Sequence, residues 1–211
     1  MRNMLALTIA TFVSAIAAPT GLAEPITFMF SGEVQQVFDP DGLLTGTVTI
    51  GTPFFGQYTF ESSTPDIDAR PRFGIYTNAI LSVSGAVGGL PFGGPSSASN
   101  TISIHDGGLL IAPDDYHLTT RVTVLSEILP FAVFWRDSDG LLYSTDALPL
   151  VPPDLALLEH ADVTIGDERL FYVSGPIQQI TPEPGALALM VISGVVITLR
   201  QRKRRVQRRS S

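Results

Sequence analysis

The feature that most restricts how this chain can fold is a period-two alternation of apolar and polar residues through its middle. Ile26, Phe28, Phe30, Val34 and Phe38 share one parity, and so do Phe54, Tyr58 and Phe60. The same spacing links Ile75, Ala79, Leu81, Val83 and Val87, then Tyr116, Leu118, Val122 and Val124 opposite His117, Thr119, Arg121 and Thr123. Successive side chains of a strand point to opposite faces, so a period of two means a sheet with one covered face. Helices are disfavoured further by 19 Gly and 16 Pro in 211 residues. The expectation is an all-β domain of antiparallel strands, arranged as a two-sheet sandwich or jelly roll.

Turn chemistry punctuates the pattern. Asp39-Pro-Asp-Gly42 and Asp137-Ser-Asp-Gly140 read as turns, because Asp hydrogen-bonds its own backbone and Gly accepts positive φ. The second falls between Phe131–Trp135 and Leu141–Tyr143, as a hairpin loop would. The Gly-, Ser- and Pro-rich stretch 85–100 reads as a long loop or a weak strand pair. Only Asp154 followed by Leu155–Leu158 looks helical, for a turn or two. No repeat of 20 to 50 residues is evident, which argues against a solenoid or propeller.

Charge divides the chain into three pieces. The segment from Glu24 to Glu183 holds all 20 acidic residues and five of the 13 basic ones, a net of −15, while the two ends together carry +8. An acidic middle repels phosphate backbones, so nucleic acid is not an expected partner. With no cysteine in the chain, disulfides, thiolate metal sites and thiol catalysis are excluded.

The amino end has the order of an export signal. Arg2 gives a positive start, Met4–Ala18 is apolar, and Pro19 precedes a small-residue exit at Gly21 and Ala23, which sets cleavage before Glu24. Residues 1–23 are therefore expected to be removed by signal peptidase after Sec-type export, leaving an exported domain over 24–180. A mature segment of that length can build its core without disulfide staples.

At the carboxyl end Pro182-Glu183-Pro184 is followed by an uncharged apolar run over 185–199. A basic tail over 200–211 then carries Arg200, Arg202, Lys203, Arg204, Arg205, Arg208 and Arg209. As a helix the run would cover roughly 22 Å at 1.5 Å per residue, so crossing a ~30 Å hydrocarbon core needs snorkelling by Arg200 or local thinning. The positive-inside rule keeps the basic tail cytoplasmic and the acidic domain on the far side, the topology the amino-terminal signal also implies.

In this order the three parts resemble the PEP-CTERM sorting domain, with the likeness running from Thr181 to Ser211. That domain is found on surface proteins of Gram-negative, exopolysaccharide-producing bacteria. The resemblance implies an exosortase substrate: an inner-membrane-anchored precursor cleaved at or near Pro182, Glu183 and Pro184, then passed to the cell surface or extracellular matrix, with exopolysaccharide as an expected contact. Phe30-Ser-Gly32, Phe38–Gly42, Gly56–Phe60 with Pro65-Asp66, and Tyr76–Ala79 are similar to an uncharacterised exported domain of many PEP-CTERM proteins. That second likeness implies no catalytic residue.

A search for chemistry returns little. There is no G-x-S-x-G elbow, no P-loop and no G-x-G-x-x-G opening a helix. His105, His117 and His160 lack zinc-ligand spacing, and the first two fall on polar strand faces. The pairs Asp39 with Asp41, Asp114 with Asp115, and Asp137 with Asp139 offer oxygens of the type Ca²⁺ takes, but the bidentate Glu of a twelve-residue loop is missing, so turns are the expected role. Phe134, Trp135 and Tyr143 are expected in the core rather than stacked on sugar rings. The expectation is a non-enzymatic surface or matrix protein without a cofactor. The alternative is an exported carbohydrate-active or Ca²⁺-dependent enzyme on the same scaffold, which would need a paired-carboxylate site.

Overall fold

The computed structural model describes residues 24–44, 46–95, 99–107 and 113–183. Gly21, Ala23, Pro184, the apolar run 185–199 and the basic tail lie outside the described residues. The strands are β1 (Pro25–Glu33), β2 (Gln36–Phe38), β3 (Pro53–Glu61), β4 (Phe73–Thr77), β5 (Ile80–Val87), β6 (Leu90–Pro95), β7 (Thr101–His105), β8 (Asp114–Val124), β9 (Glu127–Asp137), β10 (His160–Asp167) and β11 (Phe171–Pro182). No α-helix occurs among the described residues, only a single 3-10 turn over Leu155–Leu157. That turn is capped by the Asp154 carboxylate accepting from the Ala156 N–H, as the sequence led one to expect.

The domain is all-β and antiparallel, but it is a barrel of eight strands and not a two-sheet sandwich or jelly roll. Around the ring the order is β1, β3, β5, β6, β8, β9, β10, β11 and back to β1. Each barrel strand pairs with the next barrel strand in the chain, an up-and-down path with no Greek-key crossover. Strands β4 and β7 form a flange on the upper edge of this ring, β7 pairing with β8 over Asp115–Thr119, while β6 meets β8 at Gly93 and Thr123. β8 closes the ring because its eleven residues give one edge to β9 and the other to both β7 and β6. A sandwich and a barrel both ask for one apolar face per strand, so alternation alone does not separate them.

The inward parity fills the barrel with rings. Phe28, Phe30, Tyr58, Phe60, Tyr116, Phe131 and Trp135 are all buried, and Trp135 stacks on Tyr116 at 3.8 Å between ring centres. Gly56 leaves space for this packing, since a Cβ there would meet the Phe30 ring at 2.5 Å. The alternation holds over β1, β3 and β8 and fails in three places. Ile75 lies on the outer face while Tyr76 is 5% exposed, because the turn at Asn78, φ 59°, separates β4 from β5 and the parity does not carry across it. Leu81 is 44% exposed, because the β3–β5 ladder passes from Thr59 opposite Ser82 to Phe60 opposite Ile80; the bulge takes up Leu81 and hands its inward place to Ile80. Phe38 is 39% exposed and stacks on Tyr172 of β11, where β2 lies on the barrel rim.

Turns decide the rest. Stretch 85–100 contains the β5–β6 hairpin, turned by Gly88 and Gly89 at φ 57° and 84°. The β8–β9 hairpin is turned by Leu125 and Ser126, both at positive φ, a type of turn the sequence does not announce. The Asp137–Gly140 turn exists, but Leu141–Tyr143 is not its partner strand. β9 pairs instead with β10, after a long excursion over 138–159.

Candidate functional site

Two adjacent strands bring the ends of the described chain together. β11 extends through Thr181 and Pro182, two residues past the boundary expected at 180, with Pro182 registered against Phe28. The Glu183 N–H then donates to the Thr27 carbonyl at 3.1 Å. At the same end, the Glu24 carbonyl accepts from the Ser62 hydroxyl. Glu24, Pro182 and Glu183, three of the residues singled out for processing, thus lie at one end of the barrel, with Glu24 and Glu183 exposed. No helix among the described residues is long and apolar enough to cross a membrane.

Of the six aspartates singled out as oxygen donors, Asp39, Asp114 and Asp137 accept from backbone N–H groups, and Asp115 accepts from Arg136. Asp39 accepts from the Leu43 and Leu44 N–H groups at 2.8 and 2.9 Å. Asp137 accepts from Asp139, Leu141 and Leu142 at 2.9 to 3.0 Å. Asp114, 0% exposed, accepts from Gly107 at 2.8 Å and from Tyr143 at 2.7 Å, tying two loops to the base of β8. Its register partner on β9 is Asp137. Asp39 and Asp137 fulfil the turn role, while Asp114 ties distant loops together. No cluster of three or more His, Asp or Glu suited to a metal ion is found among the described residues.

The structure also joins residues that the sequence keeps apart. His105 on β7 stands opposite Asp115 on β8, and His117 lies two residues further along the same outer face. With Arg70, Phe73 and Phe134 they line a concavity of about 370 Å³ over β4, β7, β8 and β9. Phe73 stacks on His105 at 4.2 Å and carries the Arg70 guanidinium 4.4 Å from its centre. Arg136 binds both oxygens of Asp115, at 2.7 and 3.2 Å. Arg70 is held by Asp68 at 2.5 Å, and that hydrogen bond keeps the Asp68 carboxyl down at about 2. Burial lowers the His117 imidazole below its ordinary value, with Asp115 opposing, so the neutral form is favoured. The polar parity of His105 and His117 was the one trace of this patch in the sequence; their meeting depends on strand register. Chemically the patch is a closed set of ion pairs and stacked rings.

Inside the barrel, Trp135 donates to the Tyr143 hydroxyl at 2.6 Å. The hydroxyls of Tyr58, Tyr116 and Thr120 have no hydrogen-bond partner among the described residues. Burial, reinforced for Tyr58 by Tyr116 and Tyr143, pushes the Tyr58 and Tyr116 phenols far above their ordinary range. Trp135 and Tyr143 are therefore part of the interior, as expected, and Trp135 offers no ring to a sugar; Phe134, also expected in the core, instead lies on the outer parity of β9 in the His-lined concavity. No protein-family model, curated protein or solved structure matches the chain.

Proposed function

We propose that the chain is a non-enzymatic exported surface or matrix protein, delivered as a membrane-anchored precursor and released through the segment beginning at Pro182-Glu183-Pro184. The observation that carries this reading is the order of that segment, a Pro-Glu-Pro motif, an uncharged apolar run and a cluster of basic residues. The barrel geometry supports it: Glu24 and Glu183 leave from one end, so both membrane-directed segments attach to the same face of the domain. Exosortase is the proposed processing partner and exopolysaccharide the proposed contact after release. The enzyme alternative needs two carboxylates ~5–9.5 Å apart in one cleft. The His-lined patch has one carboxylate on its wall, Asp115, which Arg136 already engages.

The test is the intact mass of the protein recovered from its native host in separate cell, envelope and medium fractions. A species beginning at Glu24 and ending near Pro184 is expected. One that retains Arg200 to Ser211 in every fraction would overturn the release step and leave a permanently anchored protein. Replacing Pro182, Glu183 and Pro184 by alanine is expected to leave export intact and trap the tailed form. Alanine at 183 keeps the N–H that donates to Thr27, so the substitution tests the motif without unpinning β11.

A further inference from the structure

Outside the His-lined patch, the barrel wall has a second concavity, a groove of about 410 Å³ across β11, β1, β3 and β5. Strand register builds it from two rows of outward side chains. One row runs Thr181, Met29, Gln57, Ser84, and the other Gln179, Ser31, Phe55. These seven positions come from four strands far apart in sequence, and none carries a charge, although the domain between Glu24 and Glu183 has a net of −15. Phe55 is 62% exposed, a phenyl ring standing in water at the groove side. Among the described residues, none accepts from or donates to the side chains of Ser31, Gln57, Ser84, Gln179 or Thr181.

We propose that this groove binds a chain of uncharged sugar residues. Amides and hydroxyls offer donors and acceptors together, which suits a ligand made of hydroxyl groups. An exposed ring beside them provides an apolar platform with a fixed shape and little side-chain entropy to lose. The volume falls within the range of ligand clefts. A peptide strand is poorly served here, because the groove lies on a sheet face whose backbone groups are already paired across β11, β1, β3 and β5. A polyanion would meet no cation in the groove and a negative field around it. Four strands ~4.8 Å apart give a track ~14 Å long, enough for a short run of rings.

The proposal names the substrate class of the proposed matrix contact and rests on that reading only for where the polymer is met. Processing is read by mass and sugar binding by retardation, so either fails without the other. The experiment is affinity electrophoresis of the processed protein through gels containing amylose, dextran or hydroxyethylcellulose, with alginate as the polyanion. Retardation by at least one neutral polymer is expected, insensitive to added salt. Phe55→Ala and Gln57→Ala should each weaken it about tenfold, and Ser84→Tyr, which fills the groove, should abolish it. Phe73→Ala on the other patch should leave it unchanged. All are outer-wall substitutions, and an unaltered melting temperature certifies each variant. Absence of retardation in every neutral gel overturns the proposal. So does retardation that survives Phe55→Ala and Ser84→Tyr, or that alginate alone produces and salt removes.

Discussion

The two concavities on the barrel wall are of similar size and opposite character. Over β4, β7, β8 and β9, each charged lining group has a partner within the protein: Arg70 with Asp68, Asp115 with Arg136. Over β11, β1, β3 and β5 the lining is uncharged and its side-chain hydrogen-bonding groups have no partner among the described residues. The first patch spends its charges internally, Arg70 within its own loop and Arg136 across β8 and β9. The second would be free to meet the proposed sugar chain. The contrast is one of availability: charges already paired within the protein are less free to engage a ligand than solvated amides and hydroxyls.

Substitutions sharpen that contrast. The largest effect is expected just below the paired patch, where Asp114→Ala strips two buried N–H groups of their acceptor and frees the loops they anchor. A loss of about 3 kcal/mol in urea unfolding is expected, since buried donors to a charged acceptor are left unmet. Asp115→Ala is expected to cost clearly less than Asp114→Ala, because Arg136 is exposed and water screens the pair. Gln57→Ala and Gln179→Ala in the groove should stay within about 0.5 kcal/mol of the parent. Equal losses from the two patches would abolish the distinction.

Leu125→Asn with Ser126→Gly provides a background for these comparisons. Both positions have positive φ in a two-residue hairpin turn, where Asn-Gly is the preferred pair, and a gain of about 1 kcal/mol is expected in thermal unfolding. The smallest effect is a pH dependence. Burial lowers the His117 pKa in the folded state, so the unfolded chain takes up the proton first as pH falls. The stability tied to this group is present above about 6.5, its ordinary value, and is lost as the pH drops below it. His117→Gln should flatten the slope of stability as the pH falls below about 6.5. Groove variants should leave that slope as it is.

Much of the barrel was legible strand by strand. Phe28, Phe30, Phe54, Tyr58, Tyr116 and Leu118 lie on the faces that alternation assigned them, because burying one face of a strand forces a period of two. Leu81 and Phe38 escaped the pattern for local reasons, a bulge and a rim position. The Leu125-Ser126 turn was silent because neither residue favours the positive φ that both adopt, and the strand pairing around it overrides that preference. The flange was invisible as such, since β4 and β7 meet only through a register between residues 73–77 and 101–105.

The amino-acid sequence by itself determined an all-β class, an inward set of aromatic rings, the roles of Asp39, Asp137 and Asp154 as turn and cap residues, and the separation of an acidic body from basic ends. These follow from local rules, one residue or one strand at a time. Tertiary structure alone decided that the sheet closes into a barrel, that His105, Asp115 and His117 meet, and that Thr181, Met29, Gln57 and Ser84 form one row. Each depends on which strands pair and in what register. A shift of a single residue would turn every side chain of a strand to the other face, so that choice is made by the whole packed core and no short stretch of sequence records it.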